Sequence, residues 1–224
     1  MTLRNGAFVS RPAPQGPGVR IFRISAVRPL RLDVDDVRFA QKERSEVKPY
    51  FVQAGDLLFT RYNGNPNLVG ACAVVPDGCP PTIHPDKLIR VVVDTSRADP
   101  AFIALAVNFG EGRAAIAQRL KTTAGQVGIA GGQLRSVPVP LPPLDVQRST
   151  VERVGAEVAA FDRLQAALIQ AEQRAAQLRR SVLGQAFVGN LVEQDPADES
   201  AITTGGQAPS SSRHSAQARH TDQE

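Results

Sequence analysis

The chain has 224 residues, with 26 lysines and arginines against 22 aspartates and glutamates, a formal net charge of +4. Forty-two per cent of residues are apolar, enough for one core and a helical appendage. No apolar run approaches the roughly eighteen residues a bilayer span needs, and the opening residues lack the pattern of a secretory signal. Two cysteines, Cys72 and Cys79, make no disulfide scaffold, and with only three histidines a zinc site has almost no ligands. A cytoplasmic protein is expected.

Charge is unevenly spread. Residues 193–224 carry six acids and two arginines, so residues 1–192 hold 24 basic and 16 acidic side chains. The basic charge is nearly all arginine; only Lys42, Lys48, Lys87 and Lys121 are lysines. The planar guanidinium fork suits phosphates and guanine edges, so nucleic acid is the expected partner.

In chain order, residues 1–18 read as irregular because of Pro12, Pro14, Gly16, Pro17 and Gly18. Arg20 to Val27 alternates polar and apolar residues and predicts a strand; Arg31 to Phe39 is mixed. Gln53-Ala54-Gly55-Asp56 predicts a turn, and Leu57 to Arg61 a buried strand. Tyr62 to Asn67 (YNGNPN) is a loop of turn formers. Strands are expected at Leu68 to Val75 and Leu88 to Val93. Pro100 opens a helix that Gly110-Glu111-Gly112 interrupts, with helical character again from Arg113 to Leu120. Thr122 to Gly132 reads as a flexible loop. Leu134 to Leu141 reads as extended, limited by Pro138 and Pro140 to an edge.

From Asp145 to Phe187 there is no proline, and Ala, Leu, Gln and Arg dominate. Asp145 is positioned to cap a helix, with Arg148 at the capping-box position. Val154, Phe161, Leu168, Ala175 and Val182 recur every seven residues, and Leu164, Ala171 and Leu178 form a second series three residues further on. These are the a and d positions of a pairing helix that calls for a partner helix. Beyond Asp195 the sequence lacks apolar periodicity and is expected to be disordered.

Enzymatic constellations are missing. There is no GxxxxGK[ST] phosphate loop and no GxSxG elbow. Asn65-Pro66-Asn67 lacks the second proline and the aromatic of an amino-methyltransferase motif. Phe109-Gly110-Glu111-Gly112 follows a helix, where a cofactor loop would follow a strand. His84 has no acid or nucleophile at an interpretable spacing, and Cys72 reads as a buried filler. A binding module is expected. Two loops carry suitable chemistry: Arg61, Tyr62, Asn63, Asn65 and Asn67 in one, and Lys121, Thr122, Thr123 and Gln126 in the other, with Gly125 allowing close approach to a backbone. By composition alone the reading of both loops as ordinary solvated turns would prevail.

The order of these features carries a resemblance. Gly55 to Arg61, Asn63, Leu68-Val69-Gly70 and Leu88 to Val91 resemble the target recognition domain of type I restriction–modification specificity subunits. Thr122 to Gln126, Ile129, Leu134, Val137 to Leu144 and Gln147-Arg148 resemble that family's junction between recognition domain and spacer helix. Leu178 to Leu183, Ala186-Phe187, Gly189 and Leu191-Val192 resemble the end of the spacer. The match spans roughly residues 5–200.

The resemblance implies an α+β target recognition domain over residues 1–144, with a twisted mixed or antiparallel sheet and short helices. A long spacer and dimerisation helix would follow over 145–192, then a disordered tail over 193–224. It implies a non-catalytic, sequence-specific reader of double-stranded DNA that holds no cofactor itself. S-adenosylmethionine is expected in a modification (methyltransferase) subunit docked on it, and ATP with Mg in a restriction subunit. A family member usually carries two recognition domains and two antiparallel spacers. This chain has one of each and starts abruptly at residues 1–6, so a homodimer through the helix reading a split palindrome is expected. The competing expectation is a protein-interaction adaptor, or a truncated remnant, without DNA recognition of its own.

Overall fold

A computed structural model describes residues 1–123 and 126–188. The chain divides into two compact units, one over Met1–Ala160 and one from Phe161 onward. In chain order the strands and helices are β1 (Thr2–Asn5), β2 (Val19–Phe22), β3 (Val27–Arg28), β4 (Arg31–Leu32), β5 (Val37–Ala40), β6 (Leu57–Thr60), β7 (Tyr62–Asn63), β8 (Cys72–Val74), β9 (Leu88–Val92), α1 (Pro100–Asn108), α2 (Gly110–Ala117), β10 (Lys121–Thr123), β11 (Gln126–Gly128), α3 (Gly131–Arg135) and α4 (Leu144–Phe187). This is an α+β chain, and all its strand ladders among the described residues are antiparallel.

The first unit is organised by a four-stranded sheet in the order β1-β9-β6-β8. Central β6, Leu-Leu-Phe-Thr, is buried along its whole length because both of its faces are covered. Leu57 and Phe59 point with Ile89 and Val91 toward α1, α2 and α3, packing on Ala104, Val107, Ile116 and Leu134. Leu58 and Leu88 point the other way, onto Phe22 and Val27. A third cluster, Ala7, Ile21, Ala40, Val47 and Ile83, closes the opposite end.

Buried polar side chains set the positions of several elements. Asp99 caps α1, accepting from the N–H groups of Ala101 (2.8 Å) and Phe102 (3.2 Å), with Pro100 at the first helical position. Asn108 ends the helix facing Cys72. Its Nδ2 donates to the Cys72 carbonyl (2.7 Å) and to Ala104 O (2.7 Å), and its Oδ1 accepts from the Cys72 N–H (3.0 Å). The amide thereby acts as the missing neighbour strand at the edge of β8. Gln147, fully buried in the first turn of α4, accepts from Asp99 N–H (2.8 Å) and donates to Arg97 O (3.1 Å) and Pro142 O (2.7 Å). It fastens the start of the long helix to the entrance of α1.

Several expectations are corrected. Residues 1–18 are not wholly irregular: Thr2–Asn5 pairs with β9 from Thr2↔Val92 to Asn5↔Ile89, since the prolines begin only at Pro12 and Leu3 has a core to enter. The strand expected over Arg20 to Val27 ends at Phe22 and gives way to a 3-10 turn at Ile24–Ala26. Cys72–Val74 is shorter than the strand expected from Leu68, because Pro66–Leu68 forms a 3-10 turn. In place of the flexible loop expected over Thr122 to Gly132, the described residues supply most of β10, β11 and the start of α3. Leu134 therefore sits in a helix, and residues 137–141, with Pro138 and Pro140 unable to donate, form no strand. The second helix starts at Gly110, not Arg113. Asp145 does not cap α4. The helix begins at Leu144, its Gln147 N–H reaches Pro143 O (3.0 Å), and Asp145 lies inside the first turn, where its charge meets the helix dipole. The tail over 193–224 lies outside the described residues.

His84 lies outside the named strands and helices and is fully buried. Its Nδ1 lies 2.7 Å from Tyr50 O and its Nε2 3.4 Å from Arg4 O. Burial lowers its pKa from the ordinary value of 6.5, outweighing the opposing pull of the two carbonyls. The unfolded chain thus binds a proton near pH 6.5 that the folded chain refuses, and stability present above 6.5 is lost as pH falls toward the folded pKa. Urea unfolding should show stability declining below pH 6.5 by up to about 1.4 kcal/mol per pH unit. His84→Gln should flatten that decline; an equal decline in the variant would assign the effect elsewhere.

Candidate nucleic-acid interface

The two loops singled out for DNA contact, sixty residues apart, meet in one small sheet. β7 pairs with β11 (Asn63↔Val127, Tyr62↔Gly128), and β11 pairs with β10 (Lys121↔Gly128, Thr122↔Val127, Thr123↔Gln126). Strand order β10-β11-β7 makes β10 an outer strand. Lys121, Thr122 and Gln126 are exposed there; the side chain of Thr123, and Ala124 with Gly125, the glycine expected to let a backbone approach, lie outside what the structure describes.

β7 continues directly from the core strand β6. The Arg61 N–H donates to Lys87 O (2.8 Å), prolonging the pairing of the large sheet. The Arg61 carbonyl accepts from Ile129 N–H (2.9 Å), beginning the pairing of the small one. The Arg61 guanidinium donates to Asp86 O (3.3 Å) and stacks over the Tyr62 ring at 4.8 Å from its centroid. Gly128 lies buried against the other strand, and a Cβ there would run into the Tyr62 ring. That contact is the physical reason for a glycine at this position.

Beyond β7 the chain turns on its own asparagines. Asn63 Oδ1 accepts from Asn65 N–H (2.9 Å), and Asn65 Oδ1 from Asn67 N–H (3.0 Å). Each oxygen is used in the turn, while the amide nitrogens of Asn63 and Asn65 make no hydrogen bond among the described residues. Arg113 of α2, absent from the sequence-based candidates, clamps the turn. Its Nη1 donates to Val69 O (2.6 Å), and its Nη2 to Asn67 O (2.8 Å) and Pro66 O (3.4 Å). Burial pushes its pKa down from the usual arginine value. The only sequence signal for this role was an arginine opening a helical stretch after Gly112. The turn is thus a polar surface segment whose backbone carbonyls are held from beneath by Arg113 of α2.

Other candidates resolve as structure. Cys72 is fully buried and its thiol pKa is raised well above the ordinary value by burial, which makes it inert. Among the described residues no group of three or more His, Cys, Asp or Glu could hold a metal ion, and no helix is long and apolar enough to cross a membrane.

The pairing residues of α4 can be placed individually. Val154 is half-buried. In the second unit, taken by itself, Phe161 (71 %), Leu164, Leu168, Leu178 and Val182 (45 %) are exposed, as are Ala171 and Ala175. At about 1.5 Å per residue, the 44 residues of α4 extend roughly 66 Å.

Comparison with known proteins gives a consistent picture. The type I restriction enzyme EcoKI specificity subunit of Escherichia coli (strain K12) is 38% identical over 204 residues, covering 91% of this chain and 44% of that protein. The StySPI specificity subunit of Salmonella potsdam is 27% identical over 198 residues, covering 88% and 43%. The chain thus spans a little under half the length of the curated relatives it matches. Among solved structures, the HsdS subunit from Thermoanaerobacter tengcongensis superposes with a TM-score of 0.51 at 20% identity, over 82% of this chain and 45% of that one. A chain solved for the assembly and conformational transition of the type I R-M system gives 0.51 at 16% identity, over 89% and 51%. These two show the fold. No protein-family model matches.

The sheet geometry predicts that Gly128→Ala forces Tyr62 aside. Expected are a loss of about 1–3 kcal/mol and faster amide exchange in the β10–β11 hairpin. Wild-type exchange rates there would contradict the packing.

Proposed function

Because the chain belongs to the type I restriction–modification specificity subunits, spanning about half a member's length, we propose that it is a non-catalytic DNA-recognition component of such a system. It reads one half-site with the small sheet β10-β11-β7 and docks the modification subunit that methylates the DNA; a restriction subunit joins through the same complex. The observation that carries this reading is the convergence of the two candidate segments on one rigid sheet.

Roles follow from what each side chain has left to give. Lys121, Thr122 and Gln126 are exposed and present a cation, a hydroxyl and an amide, which meet phosphates and base edges. Asn63, Asn65 and Asn67 present amide groups from the clamped turn. Tyr62 and Arg61, stacked on each other, orient that turn, and Arg61 reaches the duplex only where its remaining donors are free. S-adenosylmethionine, ATP and Mg belong to the partner subunits.

Residues 1–144 act as the recognition domain and the helix from 145 as spacer. Its a and d stripe, half-buried at Val154 and exposed from Phe161 to Val182, packs on a partner helix, in the first instance that of a second copy. Burying eight such side chains contributes on the order of 10 kcal/mol before association costs, modest because Ala171 and Ala175 are small. Phe161→Glu with Leu168→Glu should therefore convert a dimer to a monomer in sedimentation without altering the unfolding of the rest. A dimer that survives both changes removes the stripe from the interface.

The DNA reading is tested by methylome sequencing of cells with and without the gene, beside its modification subunit. Loss of one split-motif methylation pattern is expected. With two copies of the chain reading the two halves, Lys121→Ala and Gln126→Ala should alter both halves of that motif together. An unchanged methylome on deletion would favour the adaptor reading.

A further inference from the structure

The small sheet accounts for base contacts but leaves open where the duplex backbone rests. A solvent-open groove of about 550 Å³ runs directly beside Asn63 and Gly64, at the end of β7. Arg23, Arg28, Arg38 and Lys87 stand around it, and Asp86 is the one carboxylate residue in its lining. Arg23 is neutralised by Asp36 at 2.9 Å. Arg28, Arg38 and Lys87 form no ion pair among the described residues.

A second observation points to an anion. The register of the β3–β4 hairpin sets Arg28 directly across from Arg31, both exposed. Like charges facing each other across an antiparallel pair are destabilising unless something negative lies between them. The hairpin cannot splay to relieve this. Leu30 at its turn holds a left-handed φ of +62°, and its N–H is tied to Cys72 O of β8 (2.9 Å). The other rim is equally fixed. Lys87 O accepts the Arg61 N–H (2.8 Å), so the lysine rises from the joint where β7 begins. Arg38 donates to Pro12 O (3.3 Å) and keeps its remaining donors.

We propose that this groove seats the phosphodiester backbone of the duplex whose bases face β10-β11-β7, with Arg28, Arg38 and Lys87 each neutralising a phosphate. The proposal rests on the DNA reading above and adds its sequence-independent half. Three cations on three separate elements, around an open groove with an apolar floor that includes Ile24 and Leu68, suit a repeating line of charges.

The test is fluorescence anisotropy of the full chain with a 30-base-pair duplex of arbitrary sequence, across a salt series. Each phosphate contact adds about 0.9 to the slope of log affinity against log salt. The triple variant Arg28→Gln, Arg38→Gln, Lys87→Gln should bind about 10-fold or more weakly, with a slope shallower by about 3. An equal charge loss on α4, Arg174→Gln, Arg179→Gln, Arg180→Gln, should leave the slope in place. Arg28 and Lys87 are exposed and Arg38 is half-buried, and matched thermal melts confirm folding of each variant. A wild-type slope in the groove variant, or an equal drop in the α4 variant, overturns the groove while leaving the DNA reading intact. A wild-type chain that binds no duplex even at low salt overturns both.

Discussion

The site depends on the main chain of one residue. Arg61 stands where the large sheet ends and the small one begins: its N–H belongs to the pairing with the segment before β9, and its carbonyl to the pairing with the segment after β11. β6, immediately before it, is fully buried on both faces, so whatever β6 does, β7 must follow. A strand buried between two apolar layers cannot shift by one residue without reversing every side chain. The register of the core is therefore transmitted to the candidate reading surface through two backbone hydrogen bonds, before any side chain is considered.

That arrangement explains why the surface residues are so polar without being floppy. A turn of Asn63, Gly64, Asn65, Pro66 and Asn67 would be mobile if it ended in solvent. Here the side-chain oxygens of Asn63 and Asn65 each close a local ring, and Arg113 reaches across from α2 to hold three carbonyls at once. The same device recurs elsewhere. Asn108 supplies β8 with the neighbour it lacks, and Gln147 ties the first turn of α4 to the entrance of α1. In each case one amide or guanidinium, buried or half-buried, satisfies several backbone groups that would otherwise cost a few kcal/mol. Long-range position is set by these clamps, while the apolar clusters supply the driving force.

Which of this was legible in the sequence follows the same division. Continuous apolar runs such as Leu57 to Thr60 and Leu88 to Val92, the Asp99-Pro100 helix start and the unbroken helix to Phe187 are local signals, and the structure has them where expected. Strand β1 and the β10–β11 hairpin were not legible. Thr2–Asn5 has little propensity of its own and is a strand only because β9 offers an edge, and Lys121 to Gly128 reads as a loop until β7 is brought beside it. His84, Asn108, Arg113 and Gln147 act across 34 to 80 residues of sequence, a distance no periodicity reports. The family resemblance did carry the order of elements, because the proline-rich junction and the helix ending are themselves local patterns.

A polar side chain whose donors and acceptors are already used inside the protein is poorly placed to recognise anything outside it. By that criterion the candidates separate. Arg61 and Arg113 hold the platform, and the asparagine oxygens hold the turn. Lys121, Thr122 and Gln126, with the amide nitrogens of Asn63 and Asn65, remain for a ligand. So do Arg28, Arg38 and Lys87, which surround a groove touching the same turn. The free groups also differ by place: amides and a hydroxyl, which distinguish bases, lie on the small sheet and its turn together with Lys121, while the cations Arg28, Arg38 and Lys87, which suit phosphates, surround the groove beside it. A surface assembled only from leftover solvated residues has no reason to sort itself this way, and the sorting is the strongest physical argument that one polymer, with bases and a charged backbone, lies across both.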